Sequence, residues 1–357
     1  MRIAGIGNAL LDLFWFPDTE AAPVLGLHPN STVHTDPDRM DELLIGVPAP
    51  IQVSGGSAAN ALKAASLLGE DCVFFGCLGS FEREYDPWAK AFLADLSDYG
   101  VRAVCEGRGS QTGRCLVINM PGRLASIACA PGAAPSFRLH QIDRDQYTQA
   151  DWVFIDGQVL RNEAFFDSVV RDCRAAGIKI AVDAASRMLA HEHAHAFRKL
   201  LAGGNAVVFA NEDEATALAG SLADIIPGIP RVPDRDALVH TVFSCLTREG
   251  GSREDENSAL PCIVEKRGEK GARAWSNGEV YEAAAPVIHW PLDETAAGDT
   301  FEGAWLSAIG AGLSIQQALE FSNRAAVLAL GVPGSRLDKD AFSRLKEERP
   351  APEARSR

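Results

Sequence analysis

The chain has 357 residues, 46% of them hydrophobic and 23% charged, which is an ordinary composition for a soluble globular protein. Its formal net charge of −14 argues against broad electrostatic binding to nucleic acid or to an anionic membrane, although a local pocket can still hold an anion. No run of about 18 apolar residues predicts a transmembrane helix. The eight cysteines form no C-x-x-C pair, which favours reduced thiols and a cytoplasmic location.

Short apolar runs alternate with segments of helical periodicity along most of the chain. Such alternation predicts an α/β domain, with a mostly parallel sheet covered by helices on both faces. The predicted strands are the runs RIAGIG, DCVFFGCLG, CLVINM, WVFIDG, KIAVDA, AVVFAN and PCIVEKR. The predicted helices cover residues 60–68, 87–96, 162–176, 188–201 and 212–219.

Two irregular regions interrupt this pattern early in the chain. The first covers about residues 13–52 and is rich in Pro, Thr and Asp, and the second covers about residues 101–136 and contains two strand-like runs around the turn MPGR. We expect both regions to form a small β-rich lid on a single domain that spans residues 1–345. The polar, Pro-containing tail at residues 346–357 is expected to be disordered.

A candidate ligand-binding residue follows the first predicted strand. The run GIGN at residues 5–8 lacks the rest of the G-x-G-x-x-G fingerprint, so it is only a weak indication of a dinucleotide-binding dehydrogenase. Asp12 is expected where this strand ends, at the edge where parallel sheets present ligands. The aromatic residues Phe14, Trp15 and Phe16 would either line a purine pocket or form the core of the lid.

The segment SGGSAAN combines two glycines with the start of a helix. Gly55 and Gly56 end a strand, and the free N–H groups of the following helix suit a ligand. Asn60 lies in the first turn of that helix, where its amide could bond a hydroxyl. The alternative is a tight turn followed by a helix with a serine N-cap at Ser57.

Two later segments have equally open interpretations. In FANEDEA a strand ends at Asn211, and the acidic residues that follow either complement the helix dipole or, through Asn211 and Glu214, organise Mg²⁺ and water near phosphates. In CIVEKRGEKGARAW, Gly268 and Gly271 fit either a β-hairpin or a loop that passes close to a flat ligand.

The segment DETAAGDTFEGAWLSAI joins an Ala-Ala-Gly loop to a helix. The N–H groups of residues 296–299 form a nest that can hold the charge developing on a transferring phosphoryl group. Asp299 could then accept the proton of an attacking hydroxyl. The alternative is an aspartate N-cap on an amphipathic helix.

Taken together, SGGSAAN, FANEDEA and DETAAGDTFEGAWLSAI resemble the N-terminal signature, the N-x-x-E motif and the C-terminal signature of the PfkB-type (ribokinase-like) carbohydrate and nucleoside kinases. The resemblance covers about residues 1–340 and looks closest to the adenosine-kinase-like branch. It implies a ribokinase-like fold. It also implies a kinase that uses ATP and Mg²⁺ to phosphorylate a hydroxyl, expected to belong to a CH2OH group, of a sugar or nucleoside.

The resemblance also implies roles for individual residues. Asp299 matches the catalytic base, and the backbone amides of Ala297, Gly298 and Asp299 match the anion hole, with Ala296 at its mouth. The positions that hold sugar hydroxyls are matched by Asp12, Gly55, Gly56 and Asn60. The pair that positions phosphate and, through water, Mg²⁺ is matched by Asn211 and Glu214. The positions around the nucleotide base and ribose are matched by Lys266, Gly268, Gly271, Asn323 and Ala326.

Three departures from the family pattern bear on activity. The usual D-T-x-G-A-G-D reads D-E-T-A-A-G-D, and Ala296 is safe in place of a glycine only if its φ is negative. The usual Gly-x-Asp reads Gly79-Ser80-Phe81, which removes one acidic position, and the run MPGRLASIACAPGAA is shorter than the usual hairpin. These departures leave open a second class of function, a catalytically silent sugar- or nucleotide-binding sensor with the same fold. Exposed edges of a lid sheet would also allow a homodimer.

Overall fold

The computed structural model describes residues 1–17, 25–27, 31–119, 125–137, 144–229, 232, 234–249, 260, 262–289 and 291–352. The predicted turn MPGR and the last five residues of the predicted tail lie outside these ranges. None of the helices within the described ranges has the length and apolar content that a membrane crossing requires.

The described strands, numbered in chain order, are β1 (Arg2–Ile6), β2 (Leu10–Trp15), β3 (Thr32–His34), β4 (Ile51–Gly55), β5 (Asp71–Phe81), β6 (Glu84–Tyr85), β7 (Arg102–Arg108), β8 (Gly113–Ile118), β9 (Ser126–Ala130), β10 (Trp152–Ile155), β11 (Lys179–Asp183), β12 (Ala206–Asn211), β13 (Cys262–Lys266), β14 (Ala272–Ser276) and β15 (Glu279–Ala283). The described α-helices are α1 (Pro37–Ile45), α2 (Ser57–Leu67), α3 (Pro87–Asp98), α4 (Arg144–Tyr147), α5 (Glu163–Ala175), α6 (Arg187–Glu192), α7 (Ala194–Ala202), α8 (Glu212–Ile225), α9 (Arg235–Glu249), α10 (Ala297–Gly310), α11 (Ile315–Ala329) and α12 (Lys339–Glu347).

A large sheet forms the centre of the molecule, in the order β15-β14-β13-β12-β11-β10-β1-β5-β6, with β7 also paired to β5. The pairs from β5 through β1, β10, β11 and β12 to β13 are parallel, and β14 and β15 complete it as an antiparallel hairpin. Successive residues of β1 point to opposite faces, since Ile3 belongs to one hydrophobic core and Ala4 and Ile6 to the other. Both faces are buried under helices, which confirms the predicted α/β class.

A second, smaller sheet has the strand order β3-β9-β8-β2-β4, and we call it the lid sheet. Phe14 of β2 is buried in its core with Val53 and Val117, whereas Phe16 is 37% exposed. Phe14 therefore belongs to the lid core, as one of the two interpretations of the aromatic run predicted.

The structure corrects the predicted extent of the lid and the predicted position of Asp12. The region 101–136 does not belong to one unit, because Arg102–Arg108 forms β7 and pairs in parallel with β5 of the large sheet. Asp12 does not end the first strand, which stops at Ile6, but lies in the middle of lid strand β2. The apolar character of both segments gave no signal of which sheet each one joins.

Two helix predictions also need correction. The segment 188–201 forms two helices, α6 and α7, that are separated at His193. Helix α12 continues to Glu347, so the first residues of the predicted disordered tail are helical.

Three polar residues, two of them predicted site residues, lie at the carboxyl ends of neighbouring parallel strands. Asp183 ends β11, Asn211 ends β12 and Lys266 ends β13. Helices α2 and α10 pack closely against each other, because a Cβ on Gly303 would come within 2.0 Å of the carbonyl oxygen of Ala61. The sheet topology therefore brings residues from distant parts of the chain to one edge.

Candidate active site

The N-terminus of α10 carries the candidate base. The helix begins at Ala297, so Asp299 lies in its first turn. The geometry of an α-helix leaves the first N–H groups without an intrahelical partner, and those of Gly298 and Asp299 are in this position. The N–H of Ala297 contacts the carbonyl oxygen of Glu294 at 3.4 Å. The predicted nest therefore has the backbone polarity that an anion requires.

Ala296, the N-cap of α10, has a left-handed conformation, with φ 60° and ψ 7°. From the sequence, an alanine is considered safe at this position only with a negative φ, and the observed φ is positive. The backbone of Ala296 thus keeps a conformation that glycine adopts freely. For an L-residue this conformation costs about 1–2 kcal/mol, because of its Cβ. The loop keeps its shape and bears local strain.

Asn60 holds the candidate base from the opposite helix. Its Nδ2 donates a hydrogen bond of 2.9 Å to Oδ2 of Asp299. The N-cap of α2 is Gly56 at φ 93°, with no side-chain cap, so the alternative of a Ser57 N-cap is wrong. A Cβ at Gly56 would lie 2.3 Å from the carbonyl oxygen of Asn8, which is why the turn needs glycine there.

The Asp299 carboxyl has a raised pKa. Burial is the largest cause and the carboxylate of Asp183 adds to it, while Lys266, the hydrogen bond from Asn60 and Lys63 act in the opposite direction. A carboxylate whose pKa is shifted upward is a better proton acceptor than an exposed aspartate.

Asp12 and Gly55 face each other across β2 and β4. A Cβ on Gly55 would come within 2.1 Å of Oδ2 of Asp12, so only glycine fits beside this carboxylate. Burial raises the pKa of Asp12 to about 7, with Lys63 acting to lower it and Asp299 to raise it. The four predicted hydroxyl-binding residues thus lie around one end of α2.

A cavity of about 960 Å³ opens between the lid sheet and the large sheet. Its lining includes Asn8 after β1, His34 and Cys129 of the lid sheet, and Phe165 of α5. Neither Asp12 nor Asp299 is among the lining residues, but Asn8 lies against Gly56 at the start of α2. The cavity therefore comes close to the start of α2, the helix whose Asn60 is hydrogen-bonded to Asp299. Its volume is that of a small-molecule site.

Asn211 and Glu214 form a capping box at the start of α8. The Glu214 N–H donates to Oδ1 of Asn211 at 2.9 Å, and the Asn211 N–H donates to Oε2 of Glu214 at 2.8 Å. Glu214 is buried, and burial raises its pKa to about 6. The pair therefore caps the start of α8, a local role that neither interpretation of FANEDEA named.

Two carboxylates near Asp299 were missed by the sequence analysis. Asp183, Asp299 and Glu302 each bring an oxygen within 4.8 Å of the others. Glu302 is fully buried, and its Oε2 has no hydrogen-bond partner in the described part of the chain. The spacing offered one signal, because Glu302 follows Asp299 by three residues and so lies on the same face of α10.

Lys266 lies among these carboxylates. Its Nζ forms ion pairs with Glu302 and, at 3.5 Å, with Asp183. The same Nζ is 3.2 Å from the position of a Cβ on Gly298. Burial lowers the pKa of Lys266, but the carboxylates of Glu302, Asp183, Glu214 and Asp299 together raise it above its ordinary value. The side chain is therefore a cation beside the predicted anion hole.

Two of the remaining nucleotide candidates, Gly271 and Asn323, contact one backbone segment, residues 283–285. Gly271 has φ 92°, and a Cβ there would come within 2.0 Å of the Ala283 carbonyl oxygen. Nδ2 of Asn323 donates to the carbonyl oxygens of Ala283 at 3.0 Å and Ala284 at 3.3 Å. Gly268 has φ 55° in the open turn of the confirmed β13–β14 hairpin, and Ala326 of α11 is half-buried against the core.

A carboxylate from further along the chain, that of Asp86, lies beside Gly79 in the changed motif Gly79-Ser80-Phe81. Strands β5 and β6 form a small hairpin, and Asp86 follows it as the N-cap of α3. A Cβ on Gly79 would lie 2.3 Å from Oδ2 of Asp86, and that oxygen accepts a 2.7 Å hydrogen bond from the Thr112 N–H. The carboxylate thus reaches the end of β5 despite the changed motif.

Comparison with known proteins agrees with this architecture. The family model described as pfkB family carbohydrate kinase matches residues 22–341. Ribokinase of Bacillus subtilis strain 168 is 28% identical over 288 residues, which cover 78% of this chain and 81% of the relative.

Solved structures give the same fold. The adenosine kinase from Sinorhizobium meliloti superposes with a TM-score of 0.80 at 21% identity, covering 97% of this chain and 98% of the other. A probable sugar kinase from Rhizobium etli CFN 42 also has a TM-score of 0.80, at 18% identity and the same coverage. The fold is therefore that of ribokinase-like kinases, and the extent of the family match makes this chain a carbohydrate or nucleoside kinase that belongs to the pfkB family.

Proposed function

We propose that this kinase transfers the γ-phosphoryl group of ATP to a CH2OH group of a sugar or nucleoside, with Asp299 as the general base. The observation that carries the proposal is the position of Asp299. Its carboxylate lies in the first turn of α10, accepts a hydrogen bond from Asn60, and is next to the N–H groups of Gly298 and its own backbone. One residue can therefore take the proton while the adjacent amides bind the phosphoryl oxygens.

The proposed chemistry begins with the acceptor hydroxyl. Asp12 accepts a hydrogen bond from a second hydroxyl of the substrate, which orients the reacting CH2OH group toward Asp299. Asp299 takes the proton as the hydroxyl oxygen attacks the γ-phosphorus, and the bond to the β-phosphate oxygen breaks. The raised pKa of Asp299 supports this role, because an ordinary aspartate is a weaker base at neutral pH.

The anion hole stabilises the negative charge that the transferring group carries. The N–H groups of residues 297–299 form its backbone part. Lys266, beside Gly298, supplies positive charge that the surrounding carboxylates keep in place. We assign Lys266 to the phosphate end of the nucleotide, whereas Gly268, Gly271, Asn323 and Ala326 border the base and ribose.

The chemistry of the donor set fits Mg²⁺. Asp183, Asp299 and Glu302 offer hard oxygen ligands, and Glu302 Oε2 is a buried atom without a partner in the described residues. In the proposal Glu214 and Asn211 hold the ion through water, and Asp183 adds negative charge. Bound Mg²⁺ would neutralise phosphate charge and so reduce the repulsion between the nucleotide and the acidic cluster.

The lid sheet is proposed to exclude water from the cavity. His34 and Cys129 of the lid sheet line the cavity opposite α5, so substrate bound there lies between the two sheets. Water would otherwise compete with the substrate as phosphoryl acceptor. The named relatives include both a ribokinase and an adenosine kinase, and this supports sugars and nucleosides as the acceptor classes to be tested.

Measurement of ADP release over a panel of sugars and nucleosides tests the proposal. We expect turnover with at least one acceptor, and a loss of about 10²- to 10⁴-fold in kcat for Asp299→Asn. Asp213→Asn is the matched control, because Asp213 is an exposed acid in the first turn of α8. Equal kcat for Asp299→Asn and wild type would remove Asp299 from the role of base.

The same panel distinguishes the second class of function. A silent sensor would bind sugars, nucleosides or ATP, detected as shifts in melting temperature, without phosphate transfer to any of them. The strain at Ala296 motivates this comparison.

A further inference from the structure

Lys63 is a fully buried lysine that the proposed chemistry does not use. It lies in α2, one turn after Asn60, with a side chain that is 0% exposed. An ammonium group without water is costly unless protein groups replace its hydration. The groups that contact its ammonium therefore indicate the role of Lys63.

The partners of Lys63 come from three separate segments. Its Nζ donates to the carbonyl oxygens of Ser54 at 2.6 Å and Ser335 at 3.0 Å. The carboxylate of Asp95 lies 3.9 Å away, and the Tyr99 ring centroid 5.4 Å away. Strand β4, helix α3 and the loop between α11 and α12 thus meet at one cation.

The Ser54 contact leads to the acceptor side of the site. Ser54 directly precedes Gly55, which lies against the Asp12 carboxylate. The N–H and Oγ of Ser54 both donate to Oδ2 of Asp95, at 2.8 Å and 2.5 Å. Lys63 and Asp95 therefore fix the strand that carries the glycine beside Asp12.

The Ser335 contact leads to the phosphoryl side. Gly334, the preceding residue, donates its N–H to Oδ2 of Asp293 at 2.8 Å. Oδ1 of Asp293 accepts hydrogen bonds from the N–H of Thr295 at 3.0 Å and from its Oγ1 at 2.7 Å. Thr295 is followed by Ala296, so this chain of contacts ends at the mouth of the predicted anion hole.

We propose that Lys63 is a positioning residue for phosphoryl transfer, whose ammonium ties the acceptor strand to the anion-hole loop. The inference rests on the proposed function for the identity of the two halves of the site. It assigns the alignment of those halves to a single buried cation.

The charges around Asp12 give the positioning role a measurable signature. Burial raises the pKa of Asp12 to about 7, Lys63 lowers it, and Asp299, Asp95 and Asp293 raise it. The thiol of Cys115 faces Asp12 from β8. Burial lowers the pKa of Lys63 to about 8 against the carboxylates of Asp95, Asp12 and Asp299. Removing the ammonium therefore leaves the acidic neighbours unopposed, and the pKa of Asp12 rises.

The test compares Lys63→Met and Lys63→Gln with the full-length wild type. The acceptors are adenosine and ribose. For each acceptor, kcat/KM with ATP is measured by kinetics and the binding affinity by calorimetry, both from pH 5.5 to 9. We expect the acid limb of both profiles to move to higher pH by about one unit, with a loss of about fivefold at pH 7. Lys63→Gln retains N–H donors for the two carbonyl oxygens, so it isolates the charge and carries the test if Lys63→Met does not fold.

Tyr99→Phe is the matched control, because it removes a hydroxyl that binds the Leu337 backbone in the same network but leaves the ammonium. Its acid limb should remain at the wild-type pH even where its melting temperature falls. Folded Lys63 variants with the wild-type acid limb would overturn the inference. Absence of phosphate transfer by the wild type would instead overturn the proposed function, and the calorimetric profiles would still test Lys63.

Discussion

Asn60 donates a 2.9 Å hydrogen bond to Asp299, although 239 positions separate the two residues in the chain. The bond joins the first turn of α2 to the first turn of α10, so two helix N-termini meet at one carboxylate. Asn60 therefore acts on the base directly, in addition to any contact with a substrate hydroxyl.

Replacing Asn60 by alanine should lower kcat by about tenfold, because a hydrogen bond to a charged group contributes about 1.5–3 kcal/mol. The hydrogen bond from Asn60 also lowers the pKa of Asp299, so its loss should move the acid limb of kcat to higher pH. Steady-state kinetics across pH measure both effects. Ser314→Ala, which removes the N-cap of α11, should lose about 1 kcal/mol of stability with kcat unchanged. Equal pH profiles for Asn60→Ala and wild type would contradict the prediction.

The Ala296→Gly variant should be more stable than the wild type by about 1 kcal/mol, because glycine adopts φ near 60° without the clash of a Cβ. Urea unfolding provides the measurement. Ala297→Gly is the control, since Ala297 is a helical residue next to it and glycine should lower stability there by up to about 1 kcal/mol. A loss of stability in both variants would show that the Ala296 methyl group makes favourable contacts that outweigh its strain.

Lys266 and Glu302 should be strongly coupled in stability. Removing Lys266 alone, as Lys266→Met, leaves buried carboxylates uncompensated and should cost about 3–5 kcal/mol. In the Glu302→Gln background the same change should cost less, giving a coupling free energy of about 1–3 kcal/mol in a double-mutant cycle. The exposed pair Lys339–Asp98, with N and O atoms 2.7 Å apart, is the control and should show less than about 1 kcal/mol. Additive effects at Lys266 and Glu302 would rule out the coupling.

Asp156 should make stability depend on pH. Burial raises its pKa from 3.8 to about 7 in the folded protein, so the folded state keeps a proton that the unfolded chain releases. The stability from this proton is fully present below pH 3.8 and is lost as the pH rises toward about 7. Relative to Asp156→Asn, the wild type should therefore lose about 1.4 kcal/mol per pH unit in this window.

Urea unfolding of both proteins at pH 4.5, 5.5 and 6.5 measures this difference. An asparagine at this position can still accept the hydrogen bond from the Gln158 N–H. Asp38→Asn, which changes an exposed acid in the first turn of α1, is the surface control measured over the same range. A difference between Asp156→Asn and the wild type that does not change with pH would contradict the assigned pKa.

The α/β class could be predicted because it depends on local periodicity, which buried strands such as Trp152–Ile155 display clearly. The assignment of strands to sheets could not. Arg102–Arg108 and Leu10–Trp15 are both short and partly apolar, and their sheet is decided by distant partners, β5 and β8 respectively. Nothing within either segment specifies those partners.

The candidate site likewise contains some residues that the sequence identifies and others that it does not. Asp299, Asn60 and Gly56 could be identified because each belongs to a helix start with a recognisable local pattern. Asp183, Glu302 and Lys63 could not, because an acid at a strand end or a lysine within a helix usually faces solvent. Their burial arises only when α2, α10 and β11 pack together.

The contact between Lys63 and Ser335, 272 positions apart, has a consequence for synthesis of the protein. A nascent chain contains β1, β2 and α2 long before Asp293 and Gly334 have emerged from the ribosome. The buried ammonium of Lys63 therefore gains one of its two carbonyl partners only after Ser335, 272 positions later, has been synthesised. Such non-local pairing slows folding. A chain truncated before Gly334 would retain both signature motifs but would lack the hydrogen bond from the Gly334 N–H to Asp293.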